Sequence, residues 1–125
     1  MKILILFNLL LFQCDLDRNC DLLKNIFSNT QVEKYLHTNL KERKILYFVE
    51  NDLFNCDQKI NDKLEIKMLH KKNLLSSLNY VEVLSYKIEN DILFLILEYP
   101  KEGVFIDITF NKSINKISTI NIVEK

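Results

Sequence analysis

Few residues in this chain have the type and spacing that chemistry demands. The two histidines, His37 and His70, stand alone in their local sequence, and no Cys-x-x-Cys or His-x-x-x-His spacing occurs. Sequence neighbours therefore assemble no zinc site, and no metal is expected. Asp15, Asp17, Asn19 and Asp21 alternate like the start of an EF-hand calcium loop. Cys20, however, holds the turn position that requires glycine, and Ile26 holds that of the closing bidentate glutamate, so neither the bend nor the last ligand is supplied. Cys56 with His70 could be drawn as a nucleophile and base, but neither lies in a recognisable catalytic motif. Glu98 and Asp107 could oppose each other across neighbouring strands. Acid–base work needs a cleft that displaces a carboxyl pKa, and exposed-face charge is the ordinary use of such residues.

Composition narrows the chemistry further. The only glycine is Gly103, whereas phosphate-cradling loops need several so that the backbone can approach the anion. Nucleotide cofactors of the Rossmann or P-loop kind are thereby excluded, and no cofactor is expected. With 17 Lys+Arg against 17 Asp+Glu among 125 residues, no cationic surplus points to nucleic acid, and no basic cluster exceeds a pair such as Lys71-Lys72. A chain of this length fits one domain that buries roughly two-thirds of its extended surface.

The elements begin with an apolar run. Met1-Lys2 is followed by Ile3 to Phe12, nearly all apolar, and the run stops at Gln13-Cys14. One basic residue and about ten apolar ones match the charged and hydrophobic regions of an export signal, and fall short of the ~20 residues of a membrane span. With Leu11 three residues before Cys14, the segment resembles the signal sequence of a bacterial lipoprotein. That resemblance covers Met1–Cys14 and implies that residues 1–13 are a signal peptide and that Cys14 is lipidated. Residues 14–20 then form a tether from the membrane, and 21–125 a single globular domain on the periplasmic face of the cell envelope. A buried first strand over Lys2–Phe7 in a cytoplasmic protein fits the same pattern.

The remaining cysteines follow from that resemblance. Three cysteines, Cys14, Cys20 and Cys56, leave one over in an oxidising compartment. If Cys14 carries lipid, Cys20 and Cys56 become a matched pair, and closing their loop constrains the unfolded chain by ~4 kcal/mol. In a cytoplasmic chain all three would instead be reduced core residues.

From Asp21 to His37 the apolar residues recur at helical spacing, as one bent helix or two short ones, and Thr30 with Glu33 reads as a capping box. Lys44–Glu50 reads as a strand, with a short buried helix towards Phe54 as the alternative, and Lys63–Leu69 alternates as a half-buried strand. Tyr80–Ile88, Ile92–Tyr99, Val104–Asn111 and Lys116–Val123 are β-rich runs separated by short turn-forming stretches. They predict an antiparallel meander of about four strands, with Ile92–Leu97 central. The expected fold is α+β, an N-terminal helical segment packed on a curved antiparallel sheet. Cystatin-like and nuclear-transport-factor-2-like domains share that order, as fold analogy without a shared motif.

The functional expectation is a non-catalytic binding module, held at a membrane by its lipid, that recognises another protein. Immunity proteins against secreted toxins are one such class. The expected contact is the outward face of the meander, with Tyr86, Phe105, Asp107 and Thr109. Two alternatives stand beside it: a small-ligand-binding or enzymatic domain using a pocket on the concave sheet, and a cytoplasmic interaction domain.

Overall fold

A computed structural model describes residues 19–125, so Cys14 and the apolar segment before it lie outside the described residues. Helix α1 occupies residues 19–28 and α2 Thr30–Leu36. Seven strands follow: β1 Ile45–Val49, β2 Gln58–Asn61, β3 Leu64–Leu69, β4 Tyr80–Glu89, β5 Ile92–Tyr99, β6 Val104–Asn111 and β7 Lys116–Glu124. They form one curled sheet in the order β2-β3-β1-β4-β5-β6-β7.

The helical segment is two short helices. Ser28 turns its hydroxyl back onto the Lys24 carbonyl at 2.8 Å, and Asn29 then caps α2 by accepting from the Gln31 and Val32 amides. The cap is therefore Asn29, one residue before the Thr30 of the expected capping box. An amide oxygen on an extended residue satisfies the same orphan N–H groups. Helix α1 also includes Asn19 and Cys20, which the sequence assigns to a tether; Asn19 is buried and donates to the Leu53 carbonyl at 2.8 Å.

The meander is present as β4 to β7, each pair antiparallel. The sheet as a whole is mixed, which corrects the expectation of an antiparallel one: β1 runs parallel to both β3 and β4, and the four-residue β2 adds an edge antiparallel to β3. The segment after β1 is a loop, not a helix, and Asn51 organises it by accepting from the Leu53 and Phe54 amides. Turns that need positive φ are made mostly without glycine. Asn90 and Asp91, both left-handed, close the β4–β5 hairpin, and Gly103 at φ 65° follows a 3-10 turn that links β5 to β6.

One face of the sheet is the core. Leu95, Leu97, Ile106 and Ile108 alternate inward, and Leu22, Leu23, Ile26 and Phe27 of α1 join them in one buried cluster. The Phe27 ring meets Phe48 edge-on at 6.5 Å, and Phe48 meets Phe54 at 5.2 Å. Cys20 and Cys56 are bridged, with Cα atoms 5.8 Å apart, tying the start of α1 to the loop before β2.

Candidate functional site

Strand alternation decides which side chains the meander offers to solvent. In β6, Val104, Ile106, Ile108 and Phe110 are buried, so Phe105, Asp107 and Thr109 share the opposite, outer face. Across the ladder they stand opposite Glu98, Ile96 and Phe94 of β5. Two aromatic rings on this face carry cations: Lys125 Nζ lies 5.2 Å from the centroid of Phe105, and Lys87 Nζ 5.3 Å from that of Phe94. Lys125 also pairs with Glu98 at 2.5 Å. The outer face thus combines half-exposed apolar rings, their lysines and the exposed carboxylate of Asp107, a mixture suited to recognition by contact.

Tyr86 is not part of this group. A β-bulge at Leu84 shifts the β4 register, so Ser85 opposes Ile96 while Tyr86 opposes Leu95, a buried core-facing residue. One extra residue exchanges the faces of everything after it. Tyr86 lies on the core side of the sheet, in the half of β4 nearer the β4–β5 hairpin, and is 43% exposed. Glu98 and Asp107 share the outer face without opposing each other, since their partners are Phe105 and Ile96.

A second cluster, which the sequence did not reveal, joins the end of α2 to the β5–β6 turn. Arg43 donates to Glu102 at 2.8 Å and to the Tyr99 hydroxyl at 3.0 Å. Tyr99 donates to the Asn79 side-chain oxygen at 2.5 Å, and Asn79 donates to the Ile45 carbonyl at 3.0 Å. His37, left-handed at the end of α2, meets the other Glu102 oxygen at 2.9 Å. Burial alone would raise the Glu102 pKa, but the hydrogen bonds from Arg43 and His37 outweigh it and hold the carboxyl below its ordinary value. Burial would lower Arg43, and its bonds to Glu102 and Tyr99 outweigh that, keeping the guanidinium charged. Burial raises the Tyr99 hydroxyl, against an opposing pull from Arg43. These residues are scattered from 37 to 102, so no spacing marks them; only the fold brings them together.

A pocket of ≈ 550 Å³ opens at the other end of the sheet, with Glu50, Asp52, Phe54, Met68 and His70 in its lining. Glu50 accepts the Lys71 amide at 2.8 Å and meets His70 at 3.2 Å. Those two bonds, the backbone one foremost, keep its carboxyl below the usual range. A carboxyl stabilised in its charged form is a poor proton donor near neutral pH, whereas a general acid needs the opposite displacement. Among the described residues no group of three His, Cys, Asp or Glu side chains is gathered to hold a metal ion. Cys56, the drawn nucleophile, is committed to its disulfide.

No family model, curated protein or solved structure matches the chain. The site must be read from its own geometry. On that geometry the outer face of β5–β6 gathers three of the four contact residues expected from sequence, and the Arg43–Glu102 cluster is a fully hydrogen-bonded brace between elements.

Proposed function

We propose that the chain is a small exported binding module, anchored through a lipid on Cys14, that recognises a protein partner by contact and without turnover. The observation that carries this reading is the outer face of β5–β6. Phe94 and Phe105 lie there half-exposed under Lys87 and Lys125, beside Asp107 and Thr109, and no described helix covers them. Aromatic anchors flanked by charge are the usual makings of an interface centre, with the rings supplying buried area and the charges supplying orientation. The Cys20–Cys56 bridge adds support for export, because such bonds persist in oxidising compartments.

The test has two arms. Metabolic labelling with a fatty-acid analogue should mark the wild type and not Cys14→Ser; an unlabelled wild type retaining Met1 defeats the anchor. For the contact, a photo-crosslinking residue at position 107 should trap a protein in intact cells that the same residue at 86, on the other face, does not. Against that purified protein, Phe105→Ala with Asp107→Ala should raise Kd by about tenfold or more. Equal trapping from both positions, or an unchanged Kd, defeats the contact surface.

A further inference from the structure

Strand β4 overshoots its neighbour. It runs parallel to β1 and pairs with it only at Tyr80 and Val81, opposite Tyr47 and Phe48. It then continues eight residues to Glu89, about 26 Å of strand, with β5 on one side. Among the described residues no strand takes the other side of that stretch, and alternate residues turn their backbone N–H and C=O to it. Leu84, Tyr86 and Ile88 lie along it at 54, 43 and 49% exposure. The β6–β7 turn, with exposed Ile114, sits at the same end, since the Lys112 amide donates to the Asp91 carbonyl at 2.8 Å.

The start of α1 is held at the end of β1 that β4 overshoots. Strand β1 leads at Glu50 into the loop that carries Leu53, Phe54 and Cys56, and Phe54 packs on Phe48. Asn19 donates to the Leu53 carbonyl, and Cys20 is bridged to Cys56. Cys14 precedes Asn19 by five residues, which reach at most about 18 Å. A lipid on Cys14 therefore holds this end of the sheet, and not the β5–β6 turn, close to the membrane surface.

We infer that the exposed flank of β4 is a second contact with the membrane, seating Leu84, Tyr86 and Ile88 at the headgroup level of the bilayer that holds the lipid. The inference rests on the anchor proposed above and supplies what the anchor alone lacks, a fixed orientation. A tyrosine among aliphatic chains suits that level, where the ring is buried while its hydroxyl stays wet. The open backbone edge sets the depth: unpaired N–H and C=O groups are costly in hydrocarbon, whereas headgroups and water satisfy them. Glu89 and Asp91 keep the hairpin tip in water for the same reason. Lys87 pairs with Glu89 at 3.5 Å, so attraction to anionic lipid is not what seats the flank. Phe105 and Asp107, on the opposite face and nearer the β5–β6 turn, are left clear for a protein partner.

The chain has no tryptophan, so one introduced by substitution reports its own surroundings. Acylated Tyr86→Trp protein, reconstituted in phosphatidylcholine vesicles, should show blue-shifted emission that lipids brominated high on the acyl chain quench. Ile88→Trp should behave alike, and Phe105→Trp should keep its emission. Adding Leu84→Glu with Ile88→Glu to Tyr86→Trp should abolish the quenching and leave fatty-acid labelling unchanged. A labelled protein whose tryptophan at position 86 is not quenched overturns the seat and leaves the anchor standing, as does equal quenching at positions 86 and 105. Blue-shifted emission without quenching assigns the flank to a protein neighbour or a second copy, and overturns the seat too. Quenching that survives the two glutamates means that the tether alone brings position 86 to lipid, and again the seat falls. A wild type that takes no fatty-acid label overturns anchor and seat together.

Discussion

Tyr86 and Phe105 stand on opposite faces of one antiparallel meander, because Leu84 puts an extra residue into β4. Two neighbouring surfaces of the same sheet are therefore separable by mutation. Phe105→Ala with Asp107→Ala removes side chains from the outer face and should lower stability by no more than about 1 kcal/mol, read as a small shift in the urea midpoint. A protein that unfolds on this change would place Phe105 in a load path of the core that its exposure does not indicate.

Removing the bridge should cost far more. Cys20 and Cys56 are 36 residues apart in sequence, and loop closure over that length is worth ~4 kcal/mol of unfolded-state entropy, or roughly 15 °C in melting temperature for a chain of this size. Calorimetry of the double serine variant against the oxidised wild type measures it. An equal loss on adding reductant to the wild type would assign the effect to the bond and not to the serines.

The Tyr99 hydroxyl joins Arg43 to Asn79, which is only 6% exposed. Tyr99→Phe leaves a buried amide oxygen without its donor, at a cost of about 1–3 kcal/mol. Denaturant titration should give a lower midpoint with the slope unchanged.

Acid sensitivity should trace in part to Glu102. Its folded pKa lies below the ordinary 4.5, so the unfolded chain binds its proton first as pH falls. The stabilisation is whole above about pH 4.5 and is lost as pH drops through the lower folded value. Glu102→Gln should be less stable than wild type at neutral pH, and the gap should shrink below pH 4. A gap that is constant with pH would mean that the bonds to Arg43 and His37 are insensitive to charge.

The meander was legible in the sequence because its strands repeat with period two and are separated by turn residues such as Asn90-Asp91 and Pro100 to Gly103. Strand β3 was legible for the same reason, through Leu64, Ile66 and Met68. What escaped was set by tertiary pairing. Gln58-Lys59-Ile60-Asn61 is too short and polar to announce a strand, and β3 supplies its partner. The parallel placement of β1 between β3 and β4 leaves no local mark. The bulge at Leu84 moves Tyr86 across the sheet, and no pattern in β4 alone predicts where an extra residue is accommodated. The brace around Glu102 joins five side chains that share no spacing.

The position of β1 also bears on the order in which the chain can fold. Both neighbours of this inner strand are made after it: Ile45 waits for Glu65, and Tyr47 waits for Tyr80. During synthesis, Leu46 and Phe48 stay without their sheet partners until two further strands have appeared. Contacts this distant in sequence slow folding relative to local ones, since loop entropy is spent before pairing returns it. The β4–β7 hairpins can close locally, so the C-terminal meander is the half expected to form first, with the N-terminal strands and α1 docking onto it last.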